Sequence, residues 1–185
     1  MSCKGAAVSA FTTAVDILPP DEVVRLADQY RRIYARHLFA RVPVHMTLAC
    51  PFVPFDQLRN ADDILKSVAT QAAPFVVRIA GSGWLSDPSR LVLFVEPDEP
   101  VRDLQLLLLA RFPGAGAEGL PGSPVRPHIT LGYLDDQAAL RRLAAEVDAQ
   151  AHGMTFHVDA MHVTYGNETC VWRRACTYAL GGHAP

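Results

Sequence analysis

The chain has 185 residues, of which 50% are hydrophobic and 19% are charged. This length fits one domain, and the apolar content excludes a globally disordered protein. Its 17 lysine and arginine residues oppose 19 aspartate and glutamate residues, for a net charge of −2, which excludes a protein that coats nucleic acid by charge alone. No apolar run is long enough for a signal core or a transmembrane helix, so we expect a cytoplasmic protein without a membrane partner.

The first half of the chain predicts a strand, a helix, a strand, a helix and a strand. Apolar and β-branched residues over 7–17 are typical of a strand, which Pro19 and Pro20 end. Asp21 and Glu22 then favour the start of a helix, because acidic side chains stabilise the positive end of the helix dipole. The remaining predicted elements are a strand over 44–50, a helix over about 60–71 and a strand over 75–79 that ends at the glycines of 81–83.

The second half predicts the same order of elements. They are a strand over 90–95, a helix over 99–111, a glycine- and proline-rich loop over 113–127, a strand over 128–133, a helix over 137–151, two closing strands over 154–165 and 171–180, and a tail over 181–185. An internal repeat of about half the chain is typical of two related lobes. We therefore predict a single bilobal α+β domain with a pseudo-twofold axis. Lobe 1 covers about 1–83 and lobe 2 about 84–180, with the boundary in a loop over 81–89.

Three histidines are followed two residues later by threonine, although chance predicts fewer than one such H-x-T motif. The three motifs are His45/Thr47, His128/Thr130 and His162/Thr164. The first two read H-M-T-L and H-I-T-L, each closely follows a proline, and both occupy the same place in the repeat. The third has no counterpart in the first half of the chain, so we interpret it as incidental.

Each of the two matched motifs puts an imidazole and a hydroxyl on one face of a strand, because side chains two residues apart point the same way. If the pseudo-twofold axis sets the two strands side by side, two imidazoles and two hydroxyls share one cleft. Two histidines with the ordinary pKa of about 6.5 can act as one base and one acid at neutral pH. Two hydroxyls can donate hydrogen bonds to the oxygens of a phosphate. This set fits in-line displacement at a phosphodiester and needs neither a metal ion nor a cofactor.

The segments P-V-H-M-T-L-A-C-P-F and R-P-H-I-T-L-G-Y resemble the paired signatures of the 2H phosphoesterase superfamily, in its bacterial 2′-5′ RNA ligase-like branch of cyclic nucleotide phosphodiesterases. The segment V-W-R-R-A-C-T-Y-A-L-G is similar to the closing strand of those proteins. The resemblance covers nearly the whole chain. It implies a bilobal fold with an antiparallel sheet in each lobe and both histidines lining the cleft between them. The stretch A-C-P-F over 49–52 departs from the longer apolar stretch of many relatives, as in a divergent subgroup.

The resemblance also implies an activity. This is metal-independent hydrolysis of 2′,3′-cyclic phosphate or 2′-5′ phosphodiester ends of RNA or small nucleotides, or reversible 2′-5′ joining of RNA ends. His128 would be the base that activates water, and His45 the acid that protonates the leaving ribose oxygen. Thr47 and Thr130 would hold the phosphate. The partner would be an RNA end or a small cyclic nucleotide, and the near-neutral charge favours a short one. The oligomeric state does not follow from the sequence, and a monomer is the expectation.

Four further residues are candidate substrate contacts. Arg126 lies two residues before His128, at the end of the predicted loop, where its guanidinium could reach a phosphate. The rings of Phe11, Tyr133 and Trp172 could stack on a base at the mouth of the cleft. Each of the four also has an ordinary structural interpretation, as a solvated loop arginine or as an aromatic residue of the core or sheet.

Two alternatives compete with a metal-independent enzyme. Zinc could be held if His45, His128, His157 and His162 converged, but no H-x-x-x-H or H-E-x-x-H spacing is present, so we predict no metal site. The other alternative is a binding module that recognises a nucleotide or an RNA end with negligible turnover. Two complete H-x-T motifs favour the enzyme, because binding alone does not require two groups that transfer protons.

Overall fold

An eight-stranded antiparallel sheet and four α-helices form the part of the chain that the structure, a computed structural model, describes. That part comprises residues 11–86, 89–117, 120–121, 126–167 and 170–182. The helices are α1 (Asp21–Tyr34), α2 (Leu58–Gln71), α3 (Glu99–Arg111) and α4 (Gln137–Ala151). The strands are β1 (Thr12–Ile17), β2 (Met46–Ala49), β3 (Phe75–Ser86), β4 (Ser89–Glu96), β5 (Gly116–Ala117), β6 (Leu120–Pro121), β7 (His128–Tyr133), β8 (Thr155–Val158), β9 (Ala160–Asn167) and β10 (Cys170–Ala179). Short 3₁₀ turns cover Phe55–Gln57 and Leu180–Gly182, and β5 pairs with β6 apart from the main sheet.

The main sheet has the strand order β10-β9-β1-β2-β7-β4-β3-β8. Its centre is the pair β2–β7, and β1 and β4 flank this pair symmetrically. Strand β3 of the first half of the chain lies beside β4 of the second half, whereas β9 and β10 of the second half lie beside β1. The two repeats predicted from the sequence therefore interleave in one sheet.

The core fills the space between one face of the sheet and the helices. On β2 the side chains of Met46 and Leu48 are fully buried in this core, and on β7 those of Ile129 and Leu131. Helix α1 packs on β7, α3 on β2 and α4 on β3. Because side chains alternate along a strand, burial of these four residues turns the histidine and threonine of each motif to the opposite face.

Two buried polar side chains connect the helices to the backbone of the central strands. Arg31 of α1 is fully buried and donates from Nε to the carbonyl oxygen of Thr130 at 2.9 Å and from Nη1 to that of Val42 at 3.1 Å. Burial lowers the pKa of Arg31 to about 10, so its guanidinium remains charged at neutral pH. Gln105 of α3, also fully buried, donates from Nε2 to the carbonyl oxygen of Thr47 at 3.0 Å. Each half of the chain thus supplies a helix that fixes the motif strand of the other half.

The α+β class and the antiparallel strand pairing expected from the resemblance are confirmed. The resemblance implies a sheet in each lobe, whereas one eight-stranded sheet contains strands of both halves, because β2 pairs with β7. The four predicted helices match α1 to α4, and the predicted motif strands match β2 and β7. Residues 7–10 of the first predicted strand and 183–185 of the tail lie outside the described residues.

The main difference from the predicted elements concerns the stretch 81–89. We expected a loop there because of its glycines, but β3 continues through Gly83 to Ser86 and pairs with β4. A Cβ atom at Gly83 would overlap the ring of Phe94 on β4. This glycine therefore allows close approach of an aromatic side chain across the strand pair, which is a role of glycine within strands as well as in turns.

In the described part of the chain, no helix has the length and apolar character needed to cross a membrane.

Replacing Arg31 by methionine tests whether this side chain holds the central strands. We expect Arg31→Met to lower the free energy of unfolding by about 2–4 kcal/mol, because the carbonyl groups of Val42 and Thr130 lose their hydrogen-bond donor. Urea unfolding followed by circular dichroism measures the change. Arg32→Met, on the exposed side of the same helix, is the matched control and should change it by less than about 0.5 kcal/mol. Equal losses in the two variants would contradict the role given to Arg31.

Candidate active site

The two H-x-T motifs lie side by side at the centre of the sheet. Met46 of β2 pairs with Ile129 of β7 in antiparallel register. Extending this register by one residue on each side sets His45 opposite Thr130 and Thr47 opposite His128. The two histidines are then diagonal neighbours, for which Cα–Cα distances of about 7–8 Å are typical.

A cavity of about 320 Å³ opens on this face of the sheet, and all four motif residues line it. His128 is 9% exposed, and His45 is partly buried. The lining also includes Asp16, Cys50, Arg90, Tyr133, Thr164 and Trp172. A cavity of this size, with few polar groups that converge, is typical of a small-molecule site.

The two imidazoles are held in the same way. Nδ1 of His45 lies 2.7 Å from the carbonyl oxygen of Pro43, and Nδ1 of His128 lies 2.8 Å from that of Arg126. Because a carbonyl oxygen only accepts hydrogen bonds, Nδ1 is the donor in both contacts. In a neutral ring, this leaves Nε2 of each histidine with a lone pair that can bind a proton.

A buried carboxyl group adjoins the His45 motif. Asp16 of β1 pairs with Thr47 of β2, and its side chain is 3% exposed. Thr164 of β9 donates a hydrogen bond to Asp16 Oδ2 at 2.6 Å. Oδ1 is buried and has no hydrogen-bond partner within the described part of the chain. Burial raises the pKa of Asp16, and the nearby His45 and the Thr164 hydroxyl oppose this effect. Thr164 thus lines the cavity, contrary to the interpretation of its motif as incidental. His162 of the same motif is not among the lining residues, and its Nδ1 lies 3.0 Å from Thr177 Oγ1.

The β4–β7 side of the cavity contains a cation. Arg90 of β4 is 9% exposed, and it pairs with Tyr133 of β7. A guanidinium at this depth can bind the charge of a phosphate. On the other side, burial, and after it the charge of Asp16, raises the pKa of the Cys50 thiol to about 12. Cys50 is therefore protonated at neutral pH and does not provide a thiolate nucleophile.

Two of the predicted aromatic contacts line the cavity. The ring of Trp172 packs closely on Gly166, where a Cβ atom would overlap it, and its backbone N–H donates to the carbonyl oxygen of Arg41 at 2.7 Å. Tyr133 contacts the ring of His37, with 5.1 Å between ring centroids. Both rings are only partly buried, so each leaves surface for contact with a ligand.

The other two predicted contacts do not line the cavity. Phe11 packs against Phe55 and Tyr165, with ring centroids 5.2 Å and 5.5 Å away. The guanidinium of Arg126 is exposed and lies over the ring of Phe94, 3.5 Å from its centroid. Aromatic packing and a cation–π contact thus hold these two side chains outside the cavity. The carbonyl group of Arg126, rather than its side chain, is what contacts His128.

Asp16, Arg90 and Cys50 belong to no motif and are not predicted as site residues from the sequence. The sequence does contain a signal for Asp16 and Arg90, since each is a charged residue in an apolar strand. Asp16 is the one charged residue in β1, and Arg90 begins an apolar run in β4. A charge inside a strand that is otherwise buried is costly, which makes it a candidate functional group.

Among the described residues, no group of three or more histidine, cysteine, aspartate or glutamate side chains is placed to hold a metal ion. The cavity instead contains two groups that can move a proton, two hydroxyl donors, a carboxyl group and a guanidinium. Such a set can bind a phosphate and transfer protons to and from its ester oxygens.

Comparison with known proteins identifies a family and a shared fold. A family model described as the 2′-5′ RNA ligase superfamily matches residues 19–169. No curated protein has a significantly similar sequence. Among solved structures, the chain is similar to TT0787 of Thermus thermophilus, at 19% identity and a TM-score of 0.62, over 94% of this chain and 100% of that chain.

The chain is also similar to E. coli LigT. The structure of LigT complexed with ATP has 15% identity and a TM-score of 0.60, over 93% of this chain and 99% of that chain. The structure complexed with 3′-AMP has 15% identity and a TM-score of 0.57, over the same shares of the two chains. At such identities the similarity shows a shared fold.

The tautomers of the two histidines can be measured directly. We expect His45 and His128 to carry the proton on Nδ1 in their neutral forms, because the carbonyl groups of Pro43 and Arg126 require a donor there. Long-range ¹⁵N–¹H NMR spectra above the titration range distinguish the two tautomers, and the exposed His152 is the internal reference. A proton on Nε2 of either His45 or His128 would contradict the geometry.

Proposed function

Because the chain belongs to the 2′-5′ RNA ligase superfamily of 2H phosphoesterases, we propose that it is a metal-independent phosphodiesterase. Its substrates are the 2′,3′-cyclic phosphate or 2′-5′ phosphodiester ends of RNA or of small nucleotides, and the reaction is reversible as 2′-5′ RNA ligation. Superfamily membership supports an enzyme of phosphodiester and RNA-end chemistry in general. One arrangement carries the specific proposal: two imidazoles, each with Nδ1 hydrogen-bonded to a carbonyl group, share a cavity with two threonine hydroxyls.

Hydrolysis of a cyclic phosphate requires the attacking water to lose one proton and the leaving ribose oxygen to gain one. Nε2 of His128 takes a proton from water as the water oxygen bonds to phosphorus. Nε2–H of His45 gives a proton to the ribose oxygen as its bond to phosphorus breaks. The product is a phosphate monoester, and proton exchange with solvent resets the two histidines. Both proton transfers are general acid–base steps that imidazole performs near neutral pH.

The phosphate is held between the two strands. Thr47 lies opposite His128 and Thr130 opposite His45, so a phosphate placed between the imidazoles has a hydroxyl on either side. Hydrogen bonds from these hydroxyls to the non-bridging oxygens stabilise the charge that builds up in the transition state. The guanidinium of Arg90 lines the same cavity and adds positive charge there.

Nucleotides are the ligand class that fits best. LigT, which shares the fold, is complexed with 3′-AMP in one structure and with ATP in another. In this chain, Trp172 and Tyr133 line the cavity and offer rings on which a base could stack. Substrate contacts from Arg126 and Phe11 stay predictions, as do a cytoplasmic location and a monomeric state.

A binding module with negligible turnover is the alternative, and a single assay separates the two. The purified protein is incubated with a panel of nucleoside 2′,3′-cyclic phosphates and short 2′-5′ oligonucleotides, and the products are separated by chromatography. Turnover of any of them supports the phosphodiesterase. Binding of these compounds without turnover at any pH from 5 to 9 would favour the binding module.

Chelation provides one prediction. We expect the rate of hydrolysis to be unchanged within about twofold after dialysis against EDTA, because both protons move between imidazoles and ester oxygens. Initial rates measured with and without chelator test this. Complete loss of activity that a divalent ion restores would move the site to the metal-assisted class.

Single replacements of the two histidines provide a second prediction about activity. We expect His45→Ala and His128→Ala each to lower kcat by at least about 10²-fold, because each removes a group that transfers a proton. Thr47→Ala and Thr130→Ala should cost less, because the other hydroxyl still contacts the phosphate. Steady-state kinetics with the best substrate of the panel measures both effects.

His152→Ala is the control for this series, since His152 is exposed at the end of α4 and remote from the cavity lining. It should behave like the wild type. Activity of His45→Ala within about threefold of the wild type would show that the pair of imidazoles is not the catalytic pair.

A further inference from the structure

The two halves of the site are equivalent in backbone but differ in charge. In the pair β1–β2, Asp16 is opposite Thr47, and the register shifts by one residue between Val15 and Asp16. In the pair β4–β7, Val92 is opposite Thr130, and the register shifts at the same place, between Leu91 and Val92. The pseudo-twofold axis that relates Thr47 to Thr130 therefore relates Asp16 to Val92.

The pseudo-twofold axis also relates the residues two positions before Val92 and Asp16. Arg90 of β4 corresponds to Ala14 of β1, and both line the cavity. The β1–β2 side of the cavity thus has a carboxyl group and a small apolar residue, whereas the β4–β7 side has a valine and a guanidinium. The two imidazoles have identical tethers through Nδ1, so their tethers do not decide which one gives the proton and which one takes it.

We propose that Asp16 is a positioning residue that makes His45 the general acid, because its carboxylate stabilises the imidazolium form of His45. This inference rests on the proposed phosphodiesterase function and goes beyond it, since it explains how a nearly symmetric site acquires one direction of proton transfer.

The surroundings of Asp16 support this role. The charge of His45 and the Thr164 hydroxyl both favour the carboxylate and oppose the rise in pKa that burial causes. Electrostatic coupling is reciprocal, so a carboxylate that is favoured by the charge of His45 favours that charge by the same free energy. Oδ1 of Asp16 is buried without a hydrogen-bond partner among the described residues, and positive charge on the nearby His45 would offset the cost of this burial.

The other titratable groups that face Asp16 do not cancel its charge. His162 of β9 is its partner in the sheet, but burial and then the charge of Arg174 lower the pKa of His162, so this imidazole is neutral at neutral pH. Cys50, which follows β2, is a protonated thiol. Across the cavity lie Arg90, Tyr133 and His128, which belong to the other half of the site.

The test compares Asp16→Asn with the wild type over the pH range 5 to 9. The substrate is the nucleoside 2′,3′-cyclic phosphate that the wild type hydrolyses best. We expect kcat/KM to fall at least about tenfold and the alkaline limb of its bell-shaped pH profile to move down by about one pH unit, because the acid loses a stabilising negative charge. The acidic limb, which reports the base, should stay in place.

A sulfur analogue separates the loss of the acid from simple damage to the site. The product of the wild type shows which ribose oxygen leaves, and the analogue has sulfur at that bridging position. Because a thiolate leaves without a proton, Asp16→Asn should hydrolyse the analogue within about threefold of the wild-type rate. Thr164→Val, which removes the hydrogen bond but retains the carboxyl group, should show the same selective loss to a smaller degree. If Asp16→Asn does not fold, Thr164→Val provides the test of the role of Asp16.

Asp63→Asn is the matched control, because it removes one carboxylate from the exposed surface of α2. Both its pH profile and its rates should match the wild type. Equal losses of Asp16→Asn on the two substrates, an unchanged alkaline limb, or a shift of the acidic limb instead would overturn the role of Asp16. A wild-type protein that hydrolyses no member of the panel would refute the proposed function itself, so the two failures are distinguishable.

Discussion

The pairing of β2 with β7 is the contact on which the site depends. The two strands meet at Met46 and Ile129, and a slip of one residue would turn one histidine and one threonine from the cavity into the core. The two fully buried side chains of this pair resist such a slip, because a polar side chain would have to replace an apolar one against the helices. The register is therefore determined by the packing behind the sheet.

The helices reinforce this pairing across the repeat. Arg31 belongs to the first half of the chain and binds the backbone at Thr130 in the second, while Gln105 belongs to the second half and binds the backbone at Thr47 in the first. The outer strands interleave in the same way, since β3 lies beside β4 and β9 lies beside β1. Neither half contains all the contacts of its own motif strand, so the cavity requires both halves to be folded together.

The parts of the structure that could be predicted are those with a repeated or periodic pattern. The two matched motifs indicate the strands and faces of His45 and His128, and apolar spacing indicates the four helices. The continuation of β3 through Gly83 could not be predicted, because the ring of Phe94 that needs this glycine comes from another strand. Asp16 and Arg90 are single residues without a motif. Only the three-dimensional register shows that they occupy the two sides of one cavity.

A buried carboxyl group beside a cavity that we propose to bind a phosphate has a cost, because the carboxylate would repel the phosphate and loses its own hydration. The arrangement limits this cost by placing Asp16 beside the His45 motif and Arg90 on the opposite side. A phosphate between the two imidazoles then has the guanidinium and an imidazolium to offset the carboxylate. Because the same carboxylate favours that imidazolium, the proposed role of Asp16 offsets its cost to anion binding: Asp16 stabilises the form of His45 that gives a proton to the leaving oxygen. A duplicated backbone creates two equivalent halves, and one aspartate and one arginine at non-corresponding positions are sufficient to make their charge unequal.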